Sequence, residues 1–455
     1  MSIPAIIDRT IATKYNINGP RYTSYPTALQ FTPFDDTELL IDDSASEARD
    51  LSIYIHIPFC HSLCFYCGCN KIVTRHQDRA ERYLNYLEKE IIQRSAFTAH
   101  RKVKQIHLGG GSPSFLTIAQ HTRLMALLRR HFLITADAQI SIELDPRHTD
   151  RSYLGWLVQL GFNRVSFGLQ DTDHQVQQTI NRVQDTGHIA ALVSHAKTIG
   201  FSSVNLDLIY GLPHQSTETF ATTLAHVQSM APERISLFSY AHLPSRFAAQ
   251  RKIKDSWLPS PDQKLTLMEL AIRQLTDAGY VMIGMDHFAL PGDELCSAKQ
   301  NGRLHRNFQG YTTHDDLDML GLGVSSISET QRAYSQNPKQ LNEYYAKLDA
   351  GKSLPAAGCR LNDDDRIRRF VIQSLMCNLQ LSYAQVTAKF GVCPQTYFAR
   401  ELAGLVPFVE DNLVTLTDEG IEVSEKARLL IRTICSTFDA YLSQPDITHR
   451  YSRVI

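Results

Sequence analysis

Short β-branched runs alternate with longer amphipathic stretches along most of this chain, and that alternation restricts its fold more than any other feature. Strand-like segments fall at 51–57 (LSIYIHI), 103–108 (VKQIHL), 138–144, 163–168, 203–209, 233–239 and 280–285. Helix-like segments lie near 78–97, 117–132, 150–160, 187–199, 216–230 and 260–278. The first carries Tyr83, Leu84, Leu87 and Ile91 at helical spacing, following Asp78 as a candidate cap. Strands separated by helices pair in parallel, and such sheets stay open and doubly wound or curl into a full or partial barrel. The expected fold is α/β, a partial (β/α) barrel, whose chemistry gathers at the carboxyl ends of the strands.

An N-terminal arm is expected over 1–48, the barrel and its extension over 49–355, and a small, mainly helical domain over 356–455. In the last, helices are expected over 364–379, 383–390, 395–404 and 421–437, with a hairpin at 410–420, a pattern like a winged helix. A DNA-binding use conflicts with the charge: 46 Lys and Arg stand against 47 Asp and Glu, with no basic run. No stretch approaches the ~18 apolar residues of a membrane span. Asp8, Arg9 and Lys14 interrupt the start, where a signal peptide needs an apolar run. A cytoplasmic monomer is expected.

Of nine cysteines, Cys60, Cys64, Cys67 and Cys69 fall within one short loop directly after the first strand. Soft thiolates select zinc, copper(I) or iron–sulfur clusters. Zinc could be closed by Cys69, His56 or His61, although structural zinc sites usually draw on a second C-x2-C knuckle, which is missing. A closed [4Fe–4S] cube could take all four cysteines. An open cube would use Cys60, Cys64 and Cys67 and leave one iron for a bound molecule. Because a C-x-C pair is strained across two corners of one cube, the open form is preferred, with Cys69 a separate, candidate catalytic thiol.

Gly109, Gly110 and Gly111 end the second strand and permit close backbone approach, though a triple glycine alone is more often a tight turn. Glu143 ends the third strand and could bind a ribose hydroxyl or an amino group. His56 alternates with Tyr54 on one strand face, where a hydrogen-bonded core histidine is the commoner arrangement. Asp207, between apolar neighbours, needs a cationic or hydrogen-bonding partner, for which a ligand or Arg182 would serve.

The C-x3-C-x-aromatic-C spacing, with Tyr66 as the aromatic residue, resembles the signature of radical S-adenosylmethionine enzymes. Within them, YIHIPFCHSLCFYCGCNK, HLGGGSPSFL, PRYTSYPTA and RNFQGYTT resemble oxygen-independent coproporphyrinogen III oxidases over nearly the whole chain. Ser112 and Ser114 stand where threonines are common, so the hydroxyls are kept. The resemblance implies a [4Fe–4S] cluster on Cys60, Cys64 and Cys67, and two S-adenosylmethionine molecules. Tyr54, Gly110, Glu143 and Ile327 would contact the cluster-bound molecule. Tyr66, Gly111, Ser112, Gln170, Arg182, Asp207 and Ala241 would contact the second. Cys69, Tyr54, His56, Phe308 and Gln309 would serve catalysis.

The implied reaction converts two propionates of coproporphyrinogen III to vinyl groups by a 5′-deoxyadenosyl radical, with electrons from a donor such as a flavodoxin or ferredoxin. Propionates call for arginines, of which Arg21, Arg246, Arg251 and Arg306 are candidates. The arm would cover the barrel mouth. Two rivals remain: a haem-handling relative, either a haem carrier or a radical methyltransferase that opens haem, and a non-enzymatic iron–sulfur protein. The second leaves Glu143, Gln170 and Asp207 without a role.

Overall fold

In β1 (Leu51–Ile57), Leu51, Ile53, Ile55 and Ile57 are wholly buried on one face, and Ser52, Tyr54 and His56 alternate onto the other. That period of two packs the aliphatic face under helices and turns the polar face inward. The computed structural model describes residues 8–35, 49–314, 316–443, 451 and 453. They divide into two units, one of 31–267 with 316–360 and one of 1–30, 268–315 and 361–455. Of the expected arm, 1–7 and 36–48 lie outside the described residues.

The first unit is built on one sheet. Its strands after β1 are β2 (Lys102–Gly110), β3 (Leu133–Leu144), β4 (Arg164–Gln170), β5 (Ser203–Tyr210), β6 (Arg234–Ser239), β7 (Asp318–Leu322), β8 (Ile327–Glu329), β9 (Ala333–Gln336) and β10 (Ala357–Arg360). Their order is β10-β9-β8-β7-β1-β2-β3-β4-β5-β6. Pairing is parallel from β7 through β1 to β6 and antiparallel from β7 to β10. Helices Gln77–Thr98, Ile118–His131, Arg151–Gln159, Thr186–Ile199 and Thr217–Met230 return the chain between parallel strands, the partial barrel expected of the alternation.

Three expectations need correction. Val281–Met282 is only a short strand antiparallel to His287–Ala289, in the second unit, instead of a parallel strand over 280–285. The chain turns at Gly284, where a Cβ would sit 2.0 Å from the Tyr311 ring, and the Ile283 amide donates to the His287 carbonyl at 2.8 Å. Asp78 does not cap its helix: His76 holds the cap position without a side-chain bond, and Asp78 lies in the first turn, where the helix dipole favours a negative charge. The helix expected over 421–437 begins as strand Gly420–Val423, and only Ile431–Ser436 is α-helical. Gly420 lies so close to the Leu381 carbonyl, 2.0 Å from a built Cβ, that only glycine permits the pairing.

In the second unit, strands Gln380–Ser382, Gly420–Val423 and Val414–Leu416 form a small antiparallel sheet beside helix Asp363–Asn378. Arm residues join its core. Tyr15 stacks on Phe408 with ring centroids 4.5 Å apart, Tyr22 donates to Asp439 at 3.1 Å, and Tyr25 is 1% exposed. No helix among the described residues is long and apolar enough to cross a membrane.

One buried histidine of the first unit carries a testable pH dependence. His121, on helix Ile118–His131, lies wholly inside, and burial lowers its pKa to about 4, partly offset by the Pro113 carbonyl at 3.2 Å. The folded chain therefore stays neutral there while the unfolded chain takes up a proton near its ordinary value of 6.5, so stability falls as pH drops from about 6.5 to about 4. In thermal melts the wild type should lose Tm across that window more steeply than His121→Gln; equal slopes would contradict this origin.

Candidate active site

The parallel strands bring their carboxyl ends to one side, and the pairing register sets which side chains meet there. Tyr54 of β1 lies opposite His107 of β2, and the two rings stack with centroids 5.9 Å apart. His107 Nε2 lies 3.0 Å from a Glu143 carboxylate oxygen. Burial is the largest influence on Glu143 and opposes its ionisation, but His107, the Gly110 amide and His56 together outweigh it and hold the carboxyl below its usual range. His56 donates from Nε2 to the Asn70 carbonyl at 2.9 Å, which leaves Nδ1 to accept the Tyr54 hydroxyl at 3.2 Å. Burial lowers the His56 pKa, so a neutral ring is fixed at both nitrogens.

The triple glycine is required by close approach. A Cβ on Gly109 would lie 3.0 Å from Glu143, one on Gly110 2.7 Å from the His56 ring, and one on Gly111 2.8 Å from the Pro58–Phe59 backbone. Gly110 also holds φ at +116°, outside ordinary L-residue conformations. Ser112 and Ser114 share a hydrogen bond of 2.7 Å, and the Ser114 hydroxyl accepts the Asp145 amide at 3.2 Å.

The cysteine loop leaves β1 through a short strand, Phe59–Cys60, paired with Ile72–Val73. All of its cysteines are free thiols, with Cys64 buried and Cys69 exposed. Cys64 and Cys67 lie close enough to Cys60 to influence its ionisation: burial, then Cys67 and Cys64, raises Cys60 to about 12. Cys67 is lowered by hydrogen bonding from Cys69, whose amide lies 3.4 Å from its sulfur, and by the charge of Lys71. Among the described residues no three His, Cys, Asp or Glu side chains converge to hold a single metal ion. The donor set fits a cluster: three adjacent free thiols, with the cations Lys71, Arg147 and Arg182 beside them to balance thiolate charge.

Arg182 ion-pairs with Asp145 at 3.4 Å, so its carboxylate partner is there and not Asp207 as the sequence allowed. It also donates to the Gly168 carbonyl at 2.7 Å, an approach that Gly168 permits because a Cβ would lie 2.7 Å from the guanidinium. Asp207, opposite Gly168 in the register, accepts from Asn205 at 2.8 Å and Ser166 at 3.2 Å. Gln170 ends β4 in a left-handed conformation, φ 65°, just past a register shift. Ile327 opens β8 against Gly321, which pairs with Tyr54 and whose built Cβ would lie 2.4 Å from the Ile327 carbonyl oxygen.

Gln250 donates to the Tyr66 carbonyl at 2.8 Å and the Ala241 carbonyl at 3.2 Å, joining the cysteine loop to the segment after β6. Tyr66 packs on an apolar cluster that includes Ile180, Leu212 and Tyr240. The first unit thus gathers the cysteines with Tyr54, His56, Tyr66, Gly110, Gly111, Ser112, Glu143, Gln170, Arg182, Asp207, Ala241 and Ile327 on its strand ends and their loops. Phe308 and Gln309 form the turn between strands His305–Asn307 and Gly310–Thr312 of the second unit. Sequence reasoning missed His107, Asp145, Arg147 and Gln250. The signal for Asp145 and Arg147 was present, a carboxylate and a guanidinium flanking Pro146 directly after a strand-end glutamate.

The Radical SAM superfamily model matches residues 54–227, and the HemN C-terminal domain model matches 361–430. The oxygen-independent coproporphyrinogen III oxidase of Escherichia coli (strain K12) is 52% identical over 98% of both chains. This chain belongs to that family. The Pseudomonas aeruginosa enzyme of the same name is 46% identical over 98% of both chains. A solved structure described as coproporphyrinogen III oxidase from Escherichia coli, a radical SAM enzyme, superposes with a TM-score of 0.92 at 50% identity, covering 96% of this chain and 99% of the other. Membership in the radical S-adenosylmethionine oxidoreductases brings a [4Fe–4S] cluster and S-adenosylmethionine as cofactors, and sets aside the zinc and simple-carrier readings.

Proposed function

We propose that this chain carries out the oxidative decarboxylation of the ring A and ring B propionates of coproporphyrinogen III, giving protoporphyrinogen IX in anaerobic porphyrin and haem biosynthesis. The observation that carries it is full-length kinship: curated oxidases match 98% of the chain at 52% identity, cysteine loop and C-terminal unit together. No observation favours the haem-handling alternatives.

When bound, the cluster and S-adenosylmethionine supply one-electron chemistry, a 5′-deoxyadenosyl radical able to take hydrogen from a propionate carbon. Cys60, Cys64 and Cys67 would hold the cluster. Gly110 and Gly111 leave room for the methionyl backbone, and Glu143, kept ionised by His107, would accept the amino group or a ribose hydroxyl. Tyr54 and His56 present fixed polar atoms, and Ile327 would offer the bound molecule an apolar surface. Tyr66, Ser112, Gln170, Arg182, Asp207 and Ala241 would form a second S-adenosylmethionine site. Cys69, exposed in the cluster loop, would act on the substrate, and Phe308 and Gln309 are further candidates for a catalytic role. The low-potential donor is of the flavodoxin or ferredoxin class, and the working form is a cytoplasmic monomer.

The deciding assay supplies coproporphyrinogen III, S-adenosylmethionine and a strong reductant without oxygen, and follows vinyl formation and 5′-deoxyadenosine together. Both should appear, with two decarboxylations per porphyrinogen. Cleavage of S-adenosylmethionine with no vinyl product would instead favour a haem-handling relative.

A further inference from the structure

Two guanidinium groups converge on one cysteine sulfur. Arg182 lies 3.5 Å from Cys64 Sγ, and Arg147, whose role is not explained by the site as described, lies 3.8 Å from it. Both are held by one carboxylate. Arg147 grips Asp145 in a fork, with Nε to one oxygen at 3.0 Å and a terminal nitrogen to the other at 2.6 Å, and Arg182 reaches the second oxygen at 3.4 Å. Asp145 is itself fixed: its amide donates to Ser114, and its carboxylate caps the short turn Pro146–His148. Cys64 is 8% exposed and Arg182 7%, so water screens this group little. Burial works against the charged form of Asp145, yet the two arginines overcome it and hold the carboxyl well below the usual carboxylate range.

The charge count makes the arrangement informative. Two cations and one anion leave one positive charge in excess, aimed at the Cys64 sulfur. An Asp–Arg pair would balance alone; a second guanidinium on the same sulfur suits a ligand that binds its metal as a thiolate. Charge-assisted N–H···S bonds to a ligating sulfur stabilise added negative charge on the cluster and raise its reduction potential. Such partners around a metal site set its redox poise.

The geometry points to Arg147 as a positioning residue that, with Arg182 and through the shared Asp145 tether, raises the potential at which the [4Fe–4S] cluster on Cys64 accepts an electron. The step concerned is [4Fe–4S]2+ plus one electron giving [4Fe–4S]+, the electron coming from a low-potential one-electron donor. The inference rests on the reading of Cys64 as a cluster ligand. Because Arg182 is also expected to meet S-adenosylmethionine, Arg147 is the residue to vary.

The test is an anaerobic redox titration of the full-length, reconstituted protein without substrate or S-adenosylmethionine, followed by electron paramagnetic resonance of the reduced cluster, on wild type, Arg147→Met and Arg147→Lys. Arg147→Met removes charge and donors at similar length, and its midpoint should fall by about 59 mV or more. That shift is a tenfold smaller ratio of reduced to oxidised cluster at fixed potential. Arg147→Lys, which keeps the charge, should recover part of the loss. Equal midpoints in wild type and Arg147→Met would overturn the inference. If Arg147→Met takes up no iron, Arg147→Lys decides: a midpoint below wild type supports the inference and an unchanged one overturns it. A wild type lacking any reducible cluster would be a failure of the cluster reading itself, a result distinct from equal midpoints.

Discussion

Cys64→Ser is expected to abolish the visible absorption of the reconstituted cluster and to reduce 5′-deoxyadenosine formation by at least about three orders of magnitude, the scale of losing an essential catalytic group. An open cube depends on three thiolates, and a serine hydroxyl stays protonated at neutral pH where a cysteine ligand ionises on binding. The substitution also leaves Arg147 and Arg182 facing a neutral hydroxyl in a buried place, with the single Asp145 carboxylate left to balance two guanidiniums. Cys69→Ser should behave differently. Cys69 is exposed at the end of the loop; its backbone amide, 3.4 Å from the Cys67 sulfur, is kept by the substitution, and a serine hydroxyl can replace the bond that its thiol makes to Cys67. The cluster should assemble and S-adenosylmethionine should still be cleaved, while vinyl formation falls. Iron content, absorption and product analysis on the two variants separate the roles. Loss of the cluster in both would revive a four-cysteine, closed cube.

The sequence made the barrel legible because each parallel strand is a buried β-branched run and each crossover an amphipathic helix. The six strands from β1 to β6 and the helices between them follow that code. It fails where backbone packing outweighs pattern. Strand β7, MLGL with its preceding Asp318, is short and contains Gly321, whose missing Cβ makes room for Ile327. The strand expected over 280–285 is cut by Gly284, which the Tyr311 ring occupies from the outside. Motif spacing made the site legible in turn: cysteines, glycines and strand-end carboxylates keep fixed offsets from strands. Asp145, Arg147 and Gln250 act through partners far along the chain, at Cys64, Arg182, Tyr66 and Ala241, and such pairings leave no local periodicity to read.

Deletion of residues 1–30 should unfold the second unit before it affects chemistry elsewhere. As a covering arm, this segment would be removable with only decarboxylation impaired, the cluster still assembling. Its contacts describe a core element instead. Tyr15, Tyr22 and Tyr25 are 7%, 3% and 1% exposed, and emptying a buried aromatic site costs about 3–5 kcal/mol. Three such losses come to about 9–15 kcal/mol, the same scale as the roughly 5–15 kcal/mol that holds an ordinary domain folded. Arg432, 5% exposed, donates to the carbonyls of Gly19 and Pro20, so the deletion also removes two acceptors of a buried guanidinium. Burial, with Arg21 and Arg306 nearby, already lowers its pKa to about 9. The truncated chain should show a lower Tm, or a lost transition, and rapid proteolysis within 361–443. Tyr22→Phe, which keeps the ring and removes only the bond to Asp439, should cost far less, about 1–3 kcal/mol for the unmet buried acceptor. A soluble truncated protein with unchanged melting, intact cluster and selectively impaired decarboxylation would restore the lid and displace the packing argument.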